Sequence, residues 1–273
     1  MTSQLSTPPH PRRPIGIFDS GVGGLTVLQS LRRALPSRDF IYVGDTARVP
    51  YGRKPREMVA AFAYEISRFL VRQGAEAVVI ACNTASAASL PALAEDMPVP
   101  VWGVVEPGVQ AARRLTRNGR VGVIGTAGTI RSNAYQSRLH ALGLEVWAQA
   151  CPLFVHLVEE GLAASEEADL LARYYLQGLP DVDTLVLACT HYPILAPTIQ
   201  RVVGPQVHLV SSADEVAHQV SEAMPEEPAA PDQPPGSVIH YVTGHIAAYR
   251  HSAAQVGGLD GSLRKIEDFA PPA

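Results

Sequence analysis

Lysine is almost missing from this chain. Lys54 and Lys265 are the only two in 273 residues, and neither ends an apolar run that could shelter a Schiff base, so pyridoxal chemistry is not expected. Cysteine is scarce as well: three residues, an odd number, in a chain whose start lacks the apolar segment of a secretion signal. That excludes a paired disulfide framework and points to a reducing cytoplasm. No apolar run approaches the roughly 18 residues of a membrane span. A net charge of −4 gives no broad basic surface for nucleic acid or membrane. The nine histidines lack the paired spacing of a zinc site, and no dinucleotide fingerprint is found. Gly21, Gly23 and Gly24 loosely match a phosphate loop, but no lysine follows at the required spacing, and backbone geometry accounts for them equally well. No cofactor and no metal are therefore expected.

What is present is a phrase used twice. Ala77-Val78-Val79-Ile80-Ala81-Cys82-Asn83-Thr84 is echoed by Thr184-Leu185-Val186-Leu187-Ala188-Cys189-Thr190-His191. Each is an apolar, β-branched-rich run without alternation, the pattern of a strand buried on both faces of a parallel sheet. Ile15-Gly16-Ile17-Phe18-Asp19-Ser20 is echoed in the same way by Val121-Gly122-Val123-Ile124-Gly125-Thr126. The two pairs are offset by 107 and 106 residues, a domain's worth of chain, which argues for internal duplication.

Strands alternate with helical segments along the whole length. Strands are expected at Ile15–Phe18, Phe40–Gly44, Ala77–Ala81, Val99–Val105, Val121–Ile124, Glu145–Ala148, Thr184–Ala188 and Val238–Thr243. Helices are expected from Leu25 to Ala34, through Met58, Phe62, Ile66, Phe69 and Leu70, over Ser132–Ala141, and through Leu170, Leu171, Tyr174 and Tyr175 with these residues on one side. The fold class is α/β, with two pseudo-symmetric doubly wound parallel sheets and a site between them. The expected division is a disordered leader over 1–14, a first domain over 15–106 plus 208–273, and a second over 107–207. Glu106-Pro107-Gly108 marks the crossing, and Pro225–Pro235 a solvated loop.

Ligands of open α/β sheets gather at the carboxyl ends of strands, where both thiols are delivered. Asn83-Thr84-Ala85-Ser86 suits a helix start, so Cys82 is expected at the positive end of a dipole, which favours thiolate. His191, two residues from Cys189, could tune that sulfur or carry its proton. A lone strand-end cysteine is usually a small buried hydrophobe. The duplication and the polar neighbours argue against that for Cys82 and Cys189, whereas Cys151 has no echo and is read as structural. Asp19 could orient a substrate ammonium group, govern a thiol proton, or simply cap a helix with Ser20 beside it. Pro50-Tyr51-Gly52 lies at the same edge or is only a turn. Glu159, in an apolar segment, needs a partner, with His191 one candidate. Thr126 and Thr129 mirror the Ser20 region and either donate to a carboxylate or cap a helix.

Phe18-Asp19-Ser20-Gly21-Val22-Gly23-Gly24-Leu25-Thr26, Pro50-Tyr51-Gly52, Ala81-Cys82-Asn83-Thr84-Ala85 and Ala188-Cys189-Thr190-His191-Tyr192-Pro193 together resemble the glutamate racemases, in order from about Ile15 to Asp214. The resemblance implies a cofactor-independent isomerase that interconverts L- and D-glutamate between two α/β domains. It further implies a cytoplasmic homodimer supplying D-glutamate for peptidoglycan, with no nucleic-acid or membrane partner. It assigns Cys82 and Cys189 as the two acid/bases, Cys82 acting on D-glutamate and Cys189 on L-glutamate. It also implies Asp19, His191 and Glu159 as polar helpers. The substrate-binding positions it implies are Asp19, Ser20, Pro50, Tyr51, Gly52, Asn83, Thr84, Thr129, Thr190 and His191. His156 stands where the family's Phe-Val-Pro run would have proline, a change expected to alter packing near Glu159 and His191. Rival readings are an aspartate racemase, a dithiol redox protein and a non-catalytic binding module.

Overall fold

The structure, a computed structural model, describes residues 13–225 and 234–269. The expected leader, apart from Arg13 and Pro14, and most of the Pro225–Pro235 loop lie outside the described residues. The first sheet is built from β1 (Ile15–Asp19), β2 (Phe40–Gly44), β3 (Ala77–Ile80) and β4 (Val101–Gly103), with helices α1 (Leu25–Ala34), α2 (Arg56–Arg72) and α3 (Asn83–Asp96) between them. Helix α4 (Val105–Leu115) leads to the second sheet, formed by β5 (Arg120–Gly125), β6 (Glu145–Ala150), β7 (Thr184–Ala188) and β8 (His208–Ser211). Between those strands lie α5 (Ala127–Arg131), α6 (Ala134–Ala141), α7 (Leu153–Glu159), α8 (Glu166–Leu176) and α9 (Ala196–Val203). Helix α10 (Ser212–Ala223) returns the chain to β9 (Val238–Val242), α11 (Ile246–Val256) and β10 (Ser262–Lys265).

Every strand pairing is parallel, in the orders β10-β9-β2-β1-β3-β4 and β6-β5-β7-β8. The second sheet repeats the β2-β1-β3-β4 core of the first, strand for strand. Thus β1 corresponds to β5 and β3 to β7, the two echoes seen in the sequence. Burial explains the lack of alternation: all residues of β1, β3 and β7 are buried, because helices cover both faces. The last expected strand does join the first sheet, as β9 beside β2.

Two expectations need correction. Strand β8 pairs with β7, so the second sheet extends through Ser211 and the return expected at 208 comes later, with α10. Glu106-Pro107-Gly108 lies in the first turn of α4, the helix leading from the first sheet to the second, where proline's missing N–H costs no internal hydrogen bond. The stripe on α8 is split. Ala168, Ala172 and Leu176 are buried and Leu171 and Tyr175 pack half-buried against the core, while Leu170 and Tyr174 are 67% and 64% exposed. Small residues let α8 approach the sheet closely, which leaves Leu170 and Tyr174 on the outer side.

Helix α10 ties the halves together. Asp214 near its start accepts from Ser30 Oγ at 2.7 Å and Arg33 Nη2 at 2.9 Å, both on α1. Ile17, at the centre of β1 and fully buried, is a measure of the first core. Ile17→Ala should lower unfolding stability by about 3 kcal/mol, a transfer term plus a cavity, read as a lower denaturant midpoint.

Candidate active site

Four strand ends converge. β1 runs out at Asp19 into Ser20, β3 into Ala81 and Cys82, β5 into Thr126, and β7 into Cys189, Thr190 and His191. Each is a central strand or its neighbour at the point where strand order reverses, the place where such sheets open a crevice. The crevice is a cavity of about 140 Å³ lined from the first half by Ser20, Tyr51, Gly52, Cys82, Asn83 and Thr84. From the second half come Thr126, Cys189, Thr190 and His191, with His156 and Glu159 from α7. Pro50 also lines it. The two thiols, 6% and 5% exposed, therefore face one space. All three cysteines are unpaired. Cys151 lies outside this lining, fully buried, and its carbonyl accepts from the Tyr192 hydroxyl at 2.7 Å.

The thiols have different surroundings. Cys82 occupies the N-cap of α3, as the small residues after it suggested, and donates to Ser20 Oγ at 3.8 Å. The expected thiolate preference is reversed, however. Burial and the nearby Asp19 carboxylate outweigh the Ala85 N–H and Ser20, and Cys82 is pushed up to about 12. Cys189 instead lies 3.9 Å from His191 Nδ1, and His191 Nε2 lies 2.9 Å from Glu159 Oε1. Burial alone would lower the imidazole's proton affinity, but Cys189 and Glu159 raise it, and the balance leaves His191 at about 10. The protonated imidazole is thus held in place between the Cys189 sulfur and the Glu159 carboxylate.

Asp19 is fully buried beneath the cavity rather than in its lining. Its Oδ2 accepts from Gly21 N at 2.9 Å and its Oδ1 from Thr190 Oγ1 at 3.3 Å. Burial raises its proton affinity, against the pull of His191 and these donors. Thr129 is likewise behind the wall: its hydroxyl joins those of Thr84 and Thr126 in a closed triangle of 2.8–3.1 Å contacts. It therefore supports two residues that line the cavity without lining it. The Tyr51 hydroxyl donates to Asp45, which also receives Arg48 Nε at 2.6 Å. The tyrosine is thus clamped, and its ring, not a free hydroxyl, forms the wall.

Two supporting residues escaped sequence reasoning. Asp45, the residue after β2, carried the same strand-end signal as Asp19 and could have been found by it. Tyr135 on α6 carried none. Fully buried, it donates to Asn83 Oδ1 at 2.6 Å, a contact created only when the halves meet. His156, expected to affect packing, stands in the cavity wall itself.

The glycine phrase after β1 is explained by proximity. A Cβ on Gly23 would lie 2.3 Å from Thr190 Oγ1 and 2.4 Å from His191 Nδ1, and one on Gly24 2.5 Å from Asp19 Cβ. Gly23 thus lets the first half press against the Cys189 loop, and Gly24 lets α1 start close against the ends of β1 and β3.

The family profile described as Asp/Glu/Hydantoin racemase matches residues 15–220. The chain belongs to that racemase family. Within it, the chain is 51% identical over 257 residues to the glutamate racemase of Thermus thermophilus, covering 94% of this chain and 97% of that one. It is 54% identical over 218 residues to the glutamate racemase of Geobacter metallireducens, covering 78% and 81% of the two chains. Among solved structures, Thermus thermophilus glutamate racemase in complex with β-chloro-D-alanine superposes with a TM-score of 0.85 at 51% identity, covering 93% of this chain and 97% of that one. The Francisella tularensis enzyme in complex with D-glutamate gives 0.84 at 34% identity, covering 94% and 98%. Picrophilus torridus aspartate racemase, at 14% identity and a TM-score of 0.60 over 78% of this chain and 94% of that one, shares the fold.

Gly23→Ala should drive Thr190 and His191 out of place, costing about 1–3 kcal/mol of stability and about a hundredfold in turnover through misplacement of reacting groups. Thermal unfolding and racemase assays on the same preparation check both. A fully active, equally stable variant would show that the close approach is dispensable.

Proposed function

We propose that this chain is a glutamate racemase that works without a cofactor by a two-base exchange between Cys82 and Cys189. The observation carrying the reading is that equivalent strand ends of the two sheets deliver both thiols to one small cavity. Racemisation must remove the α-proton from one face of the carbon and return a proton to the other, a task for two acid/base groups on opposite sides. Cys189, beside the His191 cation, takes the proton from L-glutamate. Cys82, still protonated, gives its own to the opposite face, leaving D-glutamate, a Cys82 thiolate and a Cys189 thiol. The return reaction runs these transfers backwards from D-glutamate. A proton must then pass from the Cys189 side back to Cys82 to restore the resting form, and the Asp19 carboxylate drives this by disfavouring charge on Cys82.

Hydroxyl and amide groups of Ser20, Thr84, Thr190 and Asn83 supply donors for the carboxylates, and Asn83 presents its NH2 end because Tyr135 occupies its oxygen. A nearly enclosed site strengthens such dipoles toward the developing negative charge. Neither lysine lines the cavity, in keeping with a route that needs no Schiff base. Among the described residues no helix is long and apolar enough to cross a membrane. The reading includes, as the resemblance implies, a cytoplasmic homodimer that feeds peptidoglycan synthesis, and light scattering in solution checks the dimer.

The deciding measurement is α-proton exchange of L- and D-glutamate in deuterium oxide, with no cofactor added and aspartate in parallel. Exchange and optical inversion with glutamate are expected, whereas exchange with aspartate alone would assign the other substrate. Cys82→Ala and Cys189→Ala should each abolish racemisation while leaving the fold intact by circular dichroism. Near-normal turnover in either, with Cys151 still present, refutes the scheme.

The pH response follows from His191. A group whose folded value is raised from 6.5 to about 10 favours the folded state fully below 6.5, and that contribution disappears as pH rises through about 10. L-glutamate kcat/KM should therefore hold through the mildly alkaline range and fall near pH 10. His191→Asn should lower the rate and remove that limb.

A further inference from the structure

A second cavity, of about 230 Å³, adjoins the thiol cavity and is lined by Lys54, Arg56 and Arg131 with no aspartate or glutamate. In a chain of net charge −4, three cations meeting around one hollow are unusual, and they repel one another. None of the three has a carboxylate partner among the described residues. Arg131 Nη2 donates to the Lys54 carbonyl at 3.5 Å and Arg56 Nε to the Ala88 carbonyl at 3.3 Å, so most of their N–H groups remain for another acceptor. The neighbouring acid, Glu57, is exposed and outside the lining. Helix α2 opens at the same place on Pro55 without a side-chain cap, adding the positive end of a 17-residue dipole.

The cations come from different halves. Lys54 and Arg56 follow the Pro50-Tyr51-Gly52 turn of the first, and Arg131 closes α5 of the second. Between them the halves touch closely: a Cβ on Gly128 would lie 3.0 Å from the Gly52 carbonyl oxygen and 3.0 Å from Thr84 Cγ2. Thr84 lines both cavities, so a single side chain separates them.

We propose that this hollow binds a small dianion bearing phosphate or carboxylate groups, which bridges Arg131 to Lys54 and Arg56 and holds the two halves closed over the thiol cavity. Guanidinium groups grip such oxyanions through paired charge-assisted hydrogen bonds. Occupancy draws α5 onto the turn that walls the reaction cavity, so glutamate is bound more tightly when the anion is present. The inference rests on the racemase reading only for that last effect; binding itself does not.

The test is calorimetric titration of the full chain, with the thiol cavity saturated by D-glutamate, using inorganic pyrophosphate in one arm and glutarate in the other. One equivalent of at least one probe is expected to bind, and the arm that responds identifies phosphate or carboxylate as the natural chemistry. Arg131→Gln and Lys54→Gln should each weaken binding about tenfold or more, and the responding probe should lower KM for glutamate in the unaltered protein but not in Arg131→Gln. Because Arg131 is exposed, its variant keeps the fold, which circular dichroism verifies. Absence of binding in both arms overturns the proposal, as does binding unaffected by either substitution or binding displaced by D-glutamate. If the probe binds as expected but no α-proton exchange occurs, the racemase reading fails and the anion site stands.

Discussion

A buried imidazole held between a sulfur and a carboxylate is the interaction on which the asymmetry of this molecule depends. The two halves share a strand order and each ends an equivalent strand on cysteine, so symmetry alone would make the thiols alike. His191, 3.9 Å from Cys189 Sγ and 2.9 Å from Glu159 Oε1, breaks that equivalence by placing a cation on one side. Asp19 breaks it in the opposite sense, placing a carboxylate below Cys82 with no cation of its own in hydrogen-bond contact. Two thiols in one cavity are thereby given different surroundings, a carboxylate beneath Cys82 and an imidazole beside Cys189.

The closeness of the halves is enforced as much by what is missing as by what is present. Gly23 lies against Thr190 and His191, and Gly128 lies against Gly52 and Thr84. In each case a single added carbon would separate elements that must meet. The Thr84, Thr126 and Thr129 triangle and the Tyr135–Asn83 bond span the same seam. Polar groups buried at a seam stabilise it when they are paired, as these three hydroxyls and the Asn83 oxygen are.

Much of the architecture was legible because duplication writes itself twice. The paired apolar runs located β1, β3, β5 and β7, and the Ala-Cys endings located the thiols. The α8 stripe was misread because period alone does not say which face is inward; Ala168 and Ala172 decide it by permitting close packing. Cys82 shows the sharper lesson. Its place at a helix start was readable from Asn83-Thr84-Ala85, but its proton affinity depends on Asp19, 63 positions away in sequence, and on burial that only the assembled sheets produce. Tyr135 and the cationic hollow were invisible for the same reason, since each exists only where two halves meet.

The chain enters the second sheet through α4 and leaves it through α10, and these two helices pack against each other. The second sheet with its helices is thus an insertion, tethered at two adjacent points, while β1 and β9–β10 at either end of the described chain belong to the first sheet. A body fastened in this way can swing about the line through its tethers but cannot slide freely. Rotation of that body about its two tethers would change the separation of Cys82 and Cys189 while leaving the strand pairing within each sheet intact.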